Sequence, residues 1–362
     1  MPRPTLYLAI TNHGFGHAVR AASIAAQIQQ LNPDILLILA TTAPRWLLES
    51  YIPGDFIYRP RAFDIGVVQP DSLTMDYDAT LVKLRDIRDR APQLIQSEAD
   101  FLRTNRVDLV FGDIPPLLAP IAKAAGIPCW MTSNFGWDFI YRPWGGEFIE
   151  QADWIADCFS QCDRLFRLPL HEAMSAFPTI EDVGLTGGVP KVEAAVLRDQ
   201  FNLDVPRDRT ILLSFGGLGL ATIPYANLAE FPDWRFISFD RAAPDLPNLR
   251  IVADHNLRPV DFMPLAGRVV SKPGYSTFAE ALRLDVPIVT LTREGFAESP
   301  VLLEGLREYS WHQIITPQEF FNPSWDFLRT EPIAPRSAQG LDKRGSETIA
   351  AEIVRAIGAT SA

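Results

Sequence analysis

The chain has 362 residues, 47% of them hydrophobic, with a formal net charge of −11 and a sequence pI near 5.0. That length exceeds what a single core usually holds, so two domains are expected, and the acidic balance argues against a nucleic-acid surface, which needs clustered Lys and Arg. No apolar stretch approaches the ~18 residues a membrane span requires, although exposed Trp and Phe near the loops of the first half leave peripheral contact with a bilayer open.

The first apolar run, Leu6 to Ile10, is too short for a signal-peptide core and is followed at once by a polar glycine loop, so it reads as a buried strand. From there, runs of strand length alternate with helical patterns, which is the signature of a parallel sheet with crossover helices. Strands are expected at 6–11, 34–41, 56–59, 107–112, 128–132 and 164–168, and helices at 18–30, 79–103, 117–125 and 147–159. The glycine- and proline-bearing stretch 182–190 reads as a linker. Strands then resume at 210–215, 235–239, 249–252, 269–272, 287–292 and 312–316, and 346–357 reads as a terminal helix. The expected organisation is a first lobe over 1–188, a second over 189–345, and a tail over 346–362 that in two-lobed folds can cross back onto the first lobe. Cys129, Cys158 and Cys162 form no paired framework and lack nearby histidines, so buried thiols in a reducing, cytosolic compartment are expected rather than disulfides or zinc.

Two glycine-bearing loops, each between a strand and a helix, stand out. A strand feeding a glycine turn at a helix start aims backbone N–H groups and the positive helix end at one point, where phosphate is stabilised without a metal. The first loop, Asn12-His13-Gly14-Phe15-Gly16-His17, carries two imidazoles able to move protons near neutral pH. Gly14 and Gly16 permit a tight turn and close backbone approach. The spacing of His13 and His17 also suggests a metal pair, but two glycines intervene and no third ligand is apparent. His17 is therefore the first choice as general base and His13 the second. Asp113 ends a strand of the same sheet and could orient His17, or it could cap the helix after Pro115-Pro116. Asp76-Tyr77-Asp78 reads as the cap of the long helix that follows.

The block after the fifth strand, residues 133–141, sets aromatics beside hydrogen-bonding groups, a mixture suited to an amphipathic ligand. Asn134, Trp137 and Asp138 are its candidate acceptor-binding residues. In the second half, Ser214, Gly216 and Gly217 open a loop whose amides can approach a phosphate. The stretch Lys272-Pro273-Gly274-Tyr275-Ser276-Thr277 leads into a helix whose cap would be Ser276 or Thr277. Glu280, a turn further on, could reach ribose hydroxyls or be solvated. Glu298 could accept from a sugar or serve as a helix-start charge.

Taken together, 13–17, 134–141, 215–217 and 274–282 resemble glycosyltransferases of the two-lobed GT-B fold. The likeness extends to the inverting N-acetylglucosaminyltransferase that forms lipid II and, more closely, to the N-terminal glycosyltransferase-like half of plant L-arabinokinase. The resemblance implies an α/β protein of two Rossmann-like lobes around a ligand cleft. It also implies a nucleoside-diphosphate sugar, uridine-linked, on the second lobe and an acceptor on the first, with inverting hexosyl or N-acetylhexosaminyl transfer and no cofactor or metal. It assigns His17 to the catalytic position, Ser276 and Thr277 to the diphosphate, and Glu280 to the ribose. Two departures accompany it: Ala297-Glu298-Ser299 replaces the paired glutamines of the lipid II enzyme, and no sugar-kinase half follows. A nucleotide-sugar 2-epimerase or a non-catalytic sugar-nucleotide sensor are the alternative readings.

Overall fold

The computed structural model describes residues 3–70, 74–216, 220 and 222–360. In the first half the elements are β1 (Thr5–Ile10), α1 (Gly16–Leu31), β2 (Leu36–Ala40), α2 (Arg45–Tyr51), β3 (Ile57–Arg59), α3 (Tyr77–Thr104), β4 (Leu109–Asp113), α4 (Leu118–Ala125), β5 (Cys129–Ser133), α5 (Trp137–Tyr141), α6 (Glu147–Phe159), β6 (Arg164–Arg167) and β7 (Ile180–Asp182). The strands form one sheet in the order β3-β2-β1-β4-β5-β6-β7, every pair parallel. All residues of β1 and β4 are buried, as continuous apolar strands must be when helices cover both faces.

The second half contains α7 (Ala194–Gln200), β8 (Thr210–Leu213), β9 (Arg235–Ser238), β10 (Leu249–Ile251), α8 (Pro259–Phe262), β11 (Arg268–Ser271), α9 (Tyr275–Arg283), β12 (Ile288–Leu291), α10 (Glu298–Tyr309), β13 (His312–Ile315), α11 (Pro317–Phe321) and α12 (Gly345–Thr360). Its sheet is again parallel, in the order β10-β9-β8-β11-β12-β13. The terminal helix α12 leaves this lobe and packs along α1. Ile349, Ile353 and Ile357 are buried in the same apolar cluster as Ala18, Ala21 and Ile24. That cluster also takes in Tyr275 and Phe278 of α9, so one body of apolar contacts joins both lobes.

Several short elements lie outside the strands and helices expected from the sequence, β7 and α5 among them. β7 lies between the strand expected at 164–168 and the linker expected at 182–190, sharing only Asp182 with the latter. Its three residues, Ile-Glu-Asp, lie at a sheet edge and are too few to show a period. The aromatic block after β5 was expected to offer a ligand surface; residues 137–141 form α5, in which Trp137 and Tyr141 are buried and Phe139 is partly so. The Asp76 cap is present: its side chain accepts from the Ala79 amide at 2.9 Å. The three cysteines are free and buried. No described helix is long and apolar enough to cross a membrane.

Candidate functional site

In an open parallel sheet, ligands gather beyond the strand C-termini where the strand order reverses. Here the reversals fall between β1 and β4 in the first sheet and between β8 and β11 in the second. The loops leaving those four strands carry the His13–His17 segment, Asp113, Ser214 to Gly216, and Lys272 to Gly274. Register places Ile10 opposite Asp113, and the Thr11 amide donates to the Asp113 carbonyl at 2.7 Å, so the end of β4 and the start of the first loop are one unit. The loops after β1, β8 and β11 line a common cavity, and Asp113 stands behind it, against His17. Its lining includes His13, Gly16, His17, Arg20, Ser214, Gly216, Lys272 and the turn from Gly274 to Thr277, with Arg293 and Glu298 closing one side. A larger cleft of about 590 Å³ adjoins it and shares Phe15, Gly16, Ser214, Gly216, Ser276 and Thr277, with Glu280 and Tyr51 also on its wall.

His17 stands on the first turn of α1 and is 7% exposed. Its Nδ1 lies 2.8 Å from Asp113 Oδ1. Arg20, one turn further along the same face, directs its guanidinium at the same carboxylate. Nε donates to Asp113 Oδ2, Nη2 to Asp113 Oδ1 at 2.6 Å and to Ser133 Oγ at 2.9 Å, and Nη1 to Asn134 Oδ1 at 2.7 Å. Nη2 carries two hydrogens, and these two acceptors use both. The 3.0 Å contact between Nη2 and His17 Nδ1 can then only share one of those hydrogens, a weaker claim on Nδ1 than that of the carboxylate at 2.8 Å. Nδ1 must hold the ring proton and donate it to Asp113, which leaves Nε2 with its lone pair. Burial, followed by the neighbouring Arg20 cation, holds the His17 pKa below the ordinary value against the opposing pull of Asp113, so the ring is neutral near pH 7. Burial alone would raise Asp113, but Arg20 and His17 outweigh it and hold the carboxyl below its usual range.

His13 is a different kind of imidazole. Its Nδ1 accepts from the Val67 amide at 3.2 Å, its ring stacks on Phe296 with centroids 6.1 Å apart, and burial, then His17, Lys272 and Arg293, push its pKa well down. With Nδ1 occupied, His13 offers an N–H rather than a base. Gly66 makes this packing possible: its φ is +56°, and a Cβ there would lie 2.5 Å from the His13 Cβ.

The opposite wall belongs to the second lobe. Helix α9 starts at Tyr275 after Gly274, with no side-chain cap, so its first amides are free of intrahelical partners at the cavity. The expectation of a Ser276 or Thr277 cap is thus corrected. Both residues lie inside the helix, and the Ser276 hydroxyl instead donates across the lobes to the Gly16 carbonyl at 2.7 Å. Lys272, in the second glycine loop, lines the cavity, and burial, then Arg293, lowers its pKa to about 8. Glu298, the first residue of α10, accepts from Asn134 Nδ2 at 2.8 Å, and burial raises its pKa. Glu280 is 3% exposed rather than solvated. It accepts from the Gly188 amide at 2.9 Å and from Tyr51 Oη at 3.3 Å, and burial raises its pKa to about 7.

The three residues assigned to an acceptor are not on the cavity wall. Trp137 is fully buried and donates from Nε1 to Thr11 Oγ1 at 2.9 Å, because an aromatic following a sheet strand finds the core before it finds solvent. Asn134 is 1% exposed and is spent between Arg20 and Glu298. Asp138 lies in the first turn of α5, and burial and the nearby Glu172 raise its pKa to about 6. Asp113 does not cap α4, whose start has no side-chain cap; its oxygens go to His17 and Arg20. Gly217 lies outside the described residues. Sequence reasoning missed Arg20 altogether. The available signal was a single Arg in an Ala- and Ile-rich helix, three residues after the histidine and on the same face.

The arrangement defines a GT-B protein, with two Rossmann-like lobes and a ligand cleft between them. Three solved structures share the fold along nearly their whole length. Phytolacca americana UGT2 complexed with UDP-2fluoro-glucose and pterostilbene has a TM-score of 0.62 at 12% identity, covering 99% of this chain and 94% of that one. Medicago truncatula UGT71G1 complexed with UDP-glucose has 0.60 at 14%, covering 98% of each. CalG4, the calicheamicin glycosyltransferase, has 0.60 at 16%, covering 98% and 92%. No family model matches the chain. In sequence it is similar to L-arabinokinase of Arabidopsis thaliana, 31% identical over 313 residues. That match covers 83% of this chain but 29% of the relative, so the chain spans under a third of its length.

Proposed function

We infer that the chain moves a hexosyl or N-acetylhexosaminyl group from a UDP-linked donor to an acceptor hydroxyl, with inversion and without a metal ion. The observation that carries this reading is one cavity with a neutral imidazole on one wall and an uncapped helix N-terminus beside a lysine on the other. His17 Nε2 takes the proton of the acceptor hydroxyl as its oxygen bonds to the anomeric carbon. The bond from that carbon to the diphosphate breaks, and its electron pair leaves on the phosphate oxygen. Asp113 then neighbours an imidazolium, while the amides of α9 and Lys272 stabilise the departing charge. The sugar passes through an oxocarbenium-like state, as in glycoside hydrolysis. In this reading Ser214, Gly216, Gly274, Ser276 and Thr277 hold the diphosphate, Glu280 the ribose, and Glu298 a sugar hydroxyl.

Two measurements test it. UDP should raise the melting midpoint of the wild-type chain, since a ligand that binds only the folded state must stabilise it. His17→Ala should keep that shift while donor turnover, measured over a panel of acceptors, falls by at least ~10²-fold. Undiminished turnover in the variant would refute the base assignment, and binding without turnover in wild type would favour a sugar-nucleotide sensor.

A further inference from the structure

We propose that Arg20 is a positioning residue that selects the reactive tautomer of His17 and ties that selection to the seating of the second lobe against the first. The proposal rests on the reading of His17 as the base.

Arg20 is 1% exposed, and its guanidinium is held by acceptors from three places on one rim: Asp113 at the end of β4, Ser133 at the end of β5, and Asn134 just beyond. His17 Nδ1 lies between two of these partners, 2.8 Å from Asp113 Oδ1 and 3.0 Å from Arg20 Nη2. The two ask for opposite tautomers. A carboxylate needs an N–H at Nδ1, whereas a guanidinium N–H needs a lone pair there. In the observed register both Nη2 hydrogens are committed elsewhere, so the carboxylate prevails and Nε2 stays open. Were the fork to turn out of that register, a freed N–H would bind Nδ1 and drive the ring proton to Nε2, blocking the atom left to the cavity.

The second lobe sets that register. Asn134 accepts from Arg20 through Oδ1 and donates through Nδ2 to Glu298 at the start of α10. Tyr275, the first residue of α9, covers the guanidinium with its ring at 5.2 Å. Separation of the lobes removes both contacts together. The path from Glu298 through Asn134 and Arg20 to Asp113 and His17 is continuous, and no member is more than 7% exposed. A fork-shaped cation suits this task because it alone meets several acceptors in fixed directions. The other groups around His17 are the neutral His13, 6.4 Å away between ring centroids, and the rings of Phe135 and Trp137.

The test reads the tautomer directly, by nitrogen NMR of ¹⁵N-histidine in the full chain, with the His17 signals assigned by their loss in His17→Gln. Wild type should show the Nδ1–H form. Arg20→Lys keeps the charge and loses the fork. Asn134→Ala leaves Arg20, Asp113 and His17 in place and removes the Nη1 acceptor together with the link to Glu298. Each should lower the ratio of Nδ1–H to Nε2–H by roughly tenfold or more, the size expected when one charge-assisted hydrogen bond is lost. A merely structural arginine would lower the melting midpoint and leave the ratio alone. An unchanged ratio in either folded variant overturns the proposal, and Asn134→Ala decides it if Arg20→Lys fails to fold. The ratio is read with and without UDP. Absence of UDP binding would sink the donor reading while leaving the tautomer result standing on its own.

Discussion

Lys272 offers a prediction whose size follows from its surroundings. In the unliganded cavity, burial and Arg293 lower its pKa to about 8. An ammonium next to a bound diphosphate is stabilised and stays protonated through the same range, so binding must supply the proton that the free site lacks at high pH. With a free-state pKa of about 8, roughly nine-tenths of the sites carry the proton at pH 7 and roughly one-tenth at pH 9. UDP affinity should then fall by about tenfold between those pH values, or about 1.4 kcal/mol. Isothermal titration at both pH values measures the loss, and the dependence of the heat on buffer ionisation counts the proton taken up. Lys272→Met supplies the control, because it retains any titration belonging to the nucleotide itself. It should bind UDP more weakly at pH 7 and show a correspondingly shallower decline. Parallel curves for wild type and Lys272→Met would refute the argument that this ammonium meets the diphosphate.

Glu280 should make stability fall as pH rises. Its folded pKa of about 7 stands above the 4.5 of a free glutamate, so between those values the folded chain binds the extra proton and stability is lost as pH increases. Glu280→Gln keeps an acceptor for Tyr51 and Gly188 and removes this penalty. Its unfolding free energy in urea relative to wild type should rise by about 2.5 kcal/mol from pH 5 to pH 8, and a pH-independent difference would count against the buried carboxyl. At the other end of the chain, Ile353→Ala on the buried face of α12 should cost about 2–5 kcal/mol in urea unfolding; a cost below ~0.5 kcal/mol, the range of surface changes, would mean that α12 does not pack on α1 as described.

Much of the fold was legible because long apolar strands and amphipathic helices announce themselves by period. The helix expected at 147–159 is α6, Glu147–Phe159, and the strand expected at 6–11 is β1, Thr5–Ile10. β7 and α5 were not legible. Three edge residues carry no period, and an aromatic run reads equally as ligand surface or as core. The same ambiguity explains why Asn134 and Trp137 were set against an acceptor when the structure spends them inside the protein. Asp113 was found by strand position, but its choice between capping α4 and orienting His17 depended on where Arg20 pointed.

What the sequence determined by itself is local: strand, glycine turn and helix start, repeated in two halves, with imidazoles in one turn and a lysine and hydroxyls in the other. Those features depend on residues a few positions apart, whose conformational preferences and periodicity survive without knowledge of the rest of the chain. Only the tertiary structure decided which polar groups meet. Ser276 reaches Gly16, Asn134 reaches Glu298, and Arg20 gathers Asp113, Ser133 and Asn134 across separations of about a hundred residues or more. The physical reason is that a buried hydrogen-bonding group takes the partner that packing brings within about 3 Å, and sequence spacing holds no record of that distance.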